Sequence, residues 1–324
     1  MLAGAFAASA KQMGAAEAMV DLTMRFLPAR FALAGLFFAA CVTSLCMGTS
    51  VGTIIALMPI AAGLAERTEM TLPIVAAAVV GGAFFGDNLS FISDTTIVST
   101  QSQGCKLSDK FRFNIRMVLP VAIIAGLIYI FLGSEATEVV APQTIPFWKV
   151  IPYLTGLACA AIGMNGLVVL VIANLRTCIT GIIGGSYDFM GWITSTLDGV
   201  MGMSELILIS MLAGGIFAMI SHNKGMDFII ERITSRVKHR WGAELSICLL
   251  VAFANICTAN NTIAILSVGD ISLRISERFG IDPRRSASLL DTTSCCVQGL
   301  LPYGAQLLMA SGLAGISAMS IVPY

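Results

Sequence analysis

Asp87 and Asp94 stand in the stretch GAFFGDNLSFISDTT, Gly82 to Thr96, which follows the apolar tract TLPIVAAAVV after one further glycine, Gly81. Ser90, Ser93, Thr95 and Thr96 surround them. A carboxylate in apolar surroundings is costly unless it is paired, hydrated or protonated. Both acids are therefore expected to face a cavity, and each is stable there in two ways: charged with a cation beside it, or neutral with a proton on it. Competition between these states couples two ions moving in opposite directions. Sodium is a hard cation that takes oxygen ligands, so the four hydroxyls, with carbonyls freed by a helix break, suit it. Asp87 and Asp94 are the carboxylates expected to meet the sodium. Helix capping is the plainer role for the same hydroxyls, Ser93 and Thr96 above all.

Three further polar groups interrupt apolar sequence. MGTSVGT, Met47 to Thr53, supplies Thr49, Ser50 and Thr53; FANICTANNT, Phe253 to Thr262, supplies Asn255, Asn260, Asn261 and Thr262; LLDTTSCCVQGLLPYGAQ, Leu289 to Gln306, supplies Asp291, Ser294 and Gln298. Asp291 and Ser294 join the expected cation and proton site, and the others are expected to support its cavity. Pro302 predicts a kink there. Asn165, Asn174 and Arg176 read as packing or snorkelling residues. Asp188, in GGSYDFMGW, is either another membrane carboxylate or an interfacial residue beside Trp192. His222 and His239 fall in a basic segment and read as solvated.

The elements that must hold these residues follow from composition. Of 324 residues, 56% are hydrophobic and 12% charged, and the mean hydropathy is +0.86. A soluble domain carries about 25% charged residues, so the chain reads as an all-α polytopic membrane protein of the cell (inner or plasma) membrane. Apolar tracts near 31–48, 51–65, 73–104, 117–133, 150–173, 177–196, 204–221, 243–268 and 286–316 are candidate spans. Backbone groups left unpaired by Gly, Ser and Thr inside such tracts are tolerated only where protein or a wet cavity covers them. A helix bundle with broken or re-entrant helices is expected. The start, MLAGAFAASAKQMGAAEAM, lacks the pattern of a signal peptide and reads as a helix already under way, with upstream spans expected.

Lys106, Lys110, Arg112 and Arg116 in 106–116, and Lys224, Arg232, Arg236, Lys238 and Arg240 in 222–240, are expected in the cytoplasm; the acidic connection 134–147, with Glu135 and Glu138, is expected outside. Arg274, Arg278, Arg284 and Arg285 break this alternation, which favours a re-entrant or broken element at 243–268. Met226, Ile230, Ile233 and Val237 share one face of an expected amphipathic helix at the cytoplasmic interface.

TIIALMPIAAGLAERTEMTLP, Thr53 to Pro73, resembles TIAILSVGDISLRISERFGIDP, Thr262 to Pro283, and Asp87-x-x-Ser90 parallels Asp291-x-x-Ser294. An internal duplication is expected: a first repeat over 1–133, N-terminally incomplete, linking spans and the amphipathic helix over 134–241, and a second repeat over 242–324. Paired, polar-interrupted segments in two halves point to the binding site of a secondary transporter.

GTSVGT, GAFFGDNLSFISDTTIVSTQSQGC and LLDTTSCCVQGLLPYGAQ together resemble the NhaC-type sodium/proton antiporter family, ion transporters with inverted repeats. The chain departs from that family in having Phe91 after Ser90, where a proline is usual, and in a shorter N-terminal part. The resemblance implies sodium/proton antiport through the membrane carboxylates. The alternative is exchange or symport of a small organic anion, malate or lactate, or of an amino acid.

Other classes fit poorly. An intramembrane aspartyl protease would need Tyr-Asp before Gly-x-Gly-Asp, whereas Tyr187-Asp188 follows Gly86-Asp87 and Phe84 replaces the first glycine; HExxH is absent. The nine cysteines show no ligand or disulfide spacing. No enzyme activity and no cofactor are expected, only transported Na+ and H+. Expected partners are membrane lipid and a small ion or small-molecule substrate, with a homodimer as a possible assembly; the zero formal net charge gives no reason to expect nucleic acid.

Overall fold

The protein is described by a computed structural model covering residues 2–26, 28–90, 93–133, 146–161, 164, 166–202, 204, 208, 211–212, 215, 218–219, 222–223 and 239–324. The acidic connection, Phe91 and the expected amphipathic helix before His239 lie outside the described residues. Among the described residues every regular element is a helix. In chain order these are α1 (Leu2–Gln12), α2 (Ala15–Phe26), α3 (Ala29–Met47), α4 (Ser50–Thr68), α5 (Leu72–Leu89), α6 (Asp94–Ser102), α7 (Leu107–Leu132), α8 (Phe147–Ala161), α9 (Gly166–Ile183), α10 (Phe189–Met201), α11 (Arg240–Thr258), α12 (Asn261–Phe279), α13 (Pro283–Gln298), α14 (Ala305–Ala314) and α15 (Ala318–Ile321).

Ser50–Thr68, Leu72–Ser102 taken across its break, Leu107–Leu132 and Arg240–Thr258 are long and apolar enough to cross a membrane. Apolar burial does not explain the outer face of α7, where Val121, Ile124, Leu127, Ile128 and Phe131 are exposed. That face suits lipid, because α7 satisfies its backbone internally. The chain is a multi-pass protein of the cell membrane.

The tracts that looked continuous are cut by caps. Gly48 takes the left-handed conformation, φ 65°, and its N–H closes α3 on the Ser44 carbonyl. Thr49 is extended, and its hydroxyl accepts from the Gly52 N–H to start α4. The tract 243–268 is cut in the same way: Ala259, φ 50°, closes α11 on Asn255 O, and Asn260 accepts from the Ile263 N–H to open α12. Each helix pair packs side by side and against a third helix, α5 or α13. Those third helices are themselves interrupted, α5 ending at Ser90 before α6, and α13 ending at Gly299 before α14. Pro302 thus lies between two helices.

The interval along the chain from Gly48 to Ala259 recurs from Thr49 to Asn260, Glu69 to Gly280, Thr71 to Asp282, Ser93 to Gly304 and Gly104 to Gly315, pairs that share their cap positions or left-handed backbone. Side-chain contacts follow the same interval. Ser44 Oγ donates to Ala83 O at 2.6 Å and Asn255 Nδ2 to Ser294 O at 2.7 Å; the equivalent carbonyls of Leu45 and Ile256 are also both held, though by donors at different positions, Ser90 Oγ and Tyr303 Oη. This register differs from the one read off the Asp-x-x-Ser motifs. It pairs Asp87 with Gln298, and leaves Asp291 opposite Val80.

The related sets α3–α6 and α11–α14 form two units, and helix packing crosses between them, α4 against α14 and α12 against α6. Apolar side chains fill the two cores, among them Leu33, Ile54, Met58 and Val79 in the first and Ile247, Leu250, Ile265 and Leu290 in the second. The first is drawn tight by glycine. A Cβ on Gly86 would lie 2.3 Å from the Cys41 carbonyl, and one on Gly82 2.4 Å from that of Phe37.

Candidate functional site

A polar cavity of about 170 Å³ lies where the helix breaks meet. The first unit lines it with Gly48, Thr49, Ser50, Val51, Asp87, Ser93, Asp94 and Thr95; the second answers with Ala259, Asn260, Asn261, Thr262, Gln298, Ala305 and Gln306. The N-termini of α4, α6, α12 and α14 reach the cavity, as do the C-terminal caps of α3 and α11. Unpaired N–H and C=O groups at such ends carry partial charges of both signs. A larger cavity, of about 210 Å³, is lined mostly by glycine, alanine and other apolar residues, with Lys11 and Glu66 its charged members. Its size alone does not make it a site, since it lacks the convergence of polar groups that orients a ligand.

Asp87 is the buried carboxylate of the polar cavity, 4% exposed in the last turn of α5. The Ser93 hydroxyl donates to its Oδ1 at 2.6 Å and is itself 3.0 Å from the Thr95 hydroxyl. Ser50 reaches the same carboxylate through its hydroxyl and backbone. The Ser50 hydroxyl also accepts from Gln306 Nε2, while Gln306 Oε1 accepts from Gln298 Nε2. Gln298 Nε2 donates as well to Ala259 O at 2.8 Å. Since a carbonyl can only accept, this bond fixes which end of the Gln298 amide is nitrogen. Gln298 Oε1 is buried without a protein partner, and so is Asn261 Nδ2. Each unfilled group costs about 1–3 kcal/mol if nothing meets it.

Of the residues expected to carry the cation and proton, Asp87, Ser93, Asp94 and Thr95 line this cavity. Asp94 is exposed in the first turn of α6, whereas Asp87 is buried. Ser90, Thr96, Asp291 and Ser294 are placed elsewhere. Ser90 holds Leu45 O, and the Ser294 hydroxyl bonds back to the Asp291 carbonyl. Thr49, Ser50, Asn260, Asn261, Thr262 and Gln298 line the cavity as supporting groups, but Thr53 bonds to Thr49 O and Asn255 to Ser294 O instead. Asn174 packs through Leu2 O and Leu170 O, and Asp188 is an exposed cap on α10.

Asp291 is fully buried and forms an ion pair with Lys110, itself 1% exposed. Lys110 Nζ also donates to Asn88 O and to Thr96 Oγ1, both at 2.8 Å, and Thr96 Oγ1 donates to Asp291 Oδ2 at 3.2 Å. Lys110 is expected from the sequence among the bases of a cytoplasmic loop, 106–116. That is incorrect, because 107–116 is already the start of α7. Lys110 and Asn114, one turn apart, face inward and are buried, while Arg112 and Arg116 are exposed. The pairing of a lysine with an asparagine four residues later was the available signal.

Interrupted helices around a polar, carboxylate-bearing cavity inside a multi-span bundle are the arrangement of an ion-coupled secondary transporter. The chain belongs to the Na+/H+ antiporter family, which it matches over residues 1–134 and 135–324. It is 20% identical to the malate-2H+/Na+-lactate antiporter of Bacillus subtilis, over 96% of this chain and 73% of that protein. With the Na+/H+ antiporter NhaC of Alkalihalophilus pseudofirmus it shares 23% identity over 85% of this chain and 66% of the relative. It is also 22% identical to the arginine/ornithine antiporter ArcD of Halobacterium salinarum, over 85% of this chain and 63% of that one. Secondary active antiport is thus the activity of the family.

Proposed function

We propose that the protein exchanges sodium for protons at Asp87. One observation carries this reading: among the three acids expected to act, Asp87 alone is both buried and in the cavity, Asp94 being exposed and Asp291 already neutralised by Lys110. Oxygens of Ser50, Ser93 and Thr95 stand beside it, and the unfilled Gln298 Oε1 belongs to the same cavity wall. This oxygen-rich set suits a hard monovalent cation. When a proton takes the carboxylate, the cation loses the buried counter-charge beside it and leaves; when sodium returns, the proton is displaced.

The test is sodium-driven proton movement in proteoliposomes containing the purified chain. Asp87→Asn is expected to abolish it while the protein stays folded, and exchange at the wild-type rate in that variant removes Asp87 from the mechanism. Sodium affinity is expected to weaken as pH falls through the titration of the carboxyl. A dissociation constant that does not change from about pH 5 to 9 contradicts competition at one site.

A second reading has its own observation. Asn261 Nδ2 is a buried donor without a partner, and four helix N-termini reach the cavity, features that favour an organic carboxylate. Similarity to a malate and lactate antiporter is consistent with it. Proton flux driven by malate or lactate, absent with sodium chloride alone, is the result that selects this reading.

A further inference from the structure

The exchange mechanism has no use for Lys110, yet few side chains in the molecule are held so completely. Its ammonium has three N–H donors, and three oxygens receive them: the Asn88 carbonyl at the broken end of α5, the Thr96 hydroxyl in α6 and the Asp291 carboxylate in α13. A backbone carbonyl released by a helix break, a hydroxyl and a carboxylate are the oxygens that coordinate a hard metal cation. Asn88 directly follows Asp87, and Thr96 directly follows Thr95, so this second oxygen cluster adjoins the cavity. Two clusters of similar chemistry therefore sit side by side, one with an open cavity and one filled by a cation covalently attached to α7.

We propose that the Lys110 ammonium occupies a second monovalent-cation site formed by Asn88 O, Thr96 Oγ1 and Asp291 Oδ2, so that the chain carries one exchangeable cation where its oxygens provide for two. Asn88 and Asn114 complete the wall of this site. Asn114 Nδ2 donates to Asn88 Oδ1 and Asn88 Nδ2 to Thr292 Oγ1, which orients the Asn88 backbone. Cys295 Sγ, 3.6 Å from Asp291 Oδ1, faces the remaining side. Because the tether prevents release, the site contributes charge neutralisation without turnover. The Asp87 site, whose cation identity rests on the exchange reading above, is the one left to cycle.

The test uses the full chain, purified in detergent, with sodium chloride compared against choline chloride. Bound radioactive sodium and the midpoint of thermal unfolding are both measured, since a cation that binds only the folded state raises that midpoint. Lys110→Met is expected to raise bound sodium from about one to about two per chain, and to show a saturable sodium-dependent stabilisation beyond that of the wild type. Lys110→Met/Asp291→Asn is expected to return to the wild-type pattern. Asp87→Asn/Lys110→Met is expected to keep the new sodium while losing the original one. This separates the two ideas: sodium retained by Asp87→Asn alone contradicts the exchange reading and leaves the lysine site standing. A folded Lys110→Met protein with no added sodium binding overturns the inference. Folding of that variant only in sodium supports it, and failure to fold in either salt shows Lys110 to be a fastening of the helices and overturns it.

Discussion

The two units that close on the cavity share their turns but not their charges. At equivalent points the first unit presents Ser50, Asp87 and Thr95, and the second presents Asn261, Gln298 and Gln306. Hydroxyls and an acid thus face amides across the cavity. The lesson is that backbone geometry supplies the chamber twice, whereas a buried ionisable group is supplied to it once, by Asp87. An amide at Gln298 keeps the shape and hydrogen-bonding reach of a carboxylate without its charge. One buried acid suits an exchange in which a single cation replaces a single proton.

The largest test of this asymmetry is to move the charge across it. Asp87→Gln is expected to stop sodium-dependent proton flux, and Asp87→Gln/Gln298→Asp to recover part of it; recovery no better than the single variant shows that the two positions are not interchangeable. Next in size is the buried pair of Lys110 in α7 with Asp291 in α13, for which the shared interval offers Ile321 and Val80. Asp291→Asn leaves the Lys110 ammonium without its counter-charge, and a loss of about 3–5 kcal/mol is expected. The Lys110→Met/Asp291→Asn pair is expected to recover most of it, as read from thermal unfolding in detergent.

Packing differs between the units as well. Gly82 and Gly86 bring α3 onto α5, whereas the equivalent positions in α13 are Thr293 and Val297. Gly86→Ala is expected to cost about 1–3 kcal/mol, because the new methyl meets a backbone carbonyl that cannot turn away. A midpoint equal to that of the wild type contradicts this close approach. The left-handed turns give the reverse contrast, glycine at Gly48 and alanine at Ala259. Ala259→Gly relieves a strained φ but loosens the unfolded chain, so a net gain under about 1 kcal/mol is expected.

The smallest effect concerns the cap opening α13. Asp282 is held below the usual carboxylate range, chiefly by its hydrogen bond with the Arg284 side chain. A depressed carboxyl stabilises the fold above its ordinary pKa and loses that contribution as pH falls through the lower, folded value. Asp282→Ala is therefore expected to lower the unfolding midpoint slightly at neutral pH, with the difference from wild type shrinking in strong acid.

Much of this was legible in the residues. Apolar tracts gave an all-helical membrane protein, and clusters of Gly, Ser, Thr and Asn marked where helices stop, because those residues release or cap backbone groups. Asp87 was identifiable as a carboxylate without an apolar excuse. The register between the units was legible only in part: Glu66-Arg67 and Glu277-Arg278 stand at the interval that the caps share, whereas the two Asp-x-x-Ser motifs do not, and the rest of the equivalence lies in backbone conformation shared by residues as different as Gly48 and Ala259. Lys110 was missed for a related reason. Charge in a loop and charge one turn into a helix look alike in sequence, and only the direction of the helix face, toward Asp291, distinguishes them.

The crossed contacts of α4 with α14 and of α12 with α6 have a mechanical outcome. Each helix that begins at the rim of the chamber rests on a neighbour belonging to the opposite half, so the two rims are expected to lift together. Displacing one is expected to slide the other, in the manner of meshed gears, so a cross-link fixing α4 to α14 is expected to slow movement at the distant rim as well as at its own.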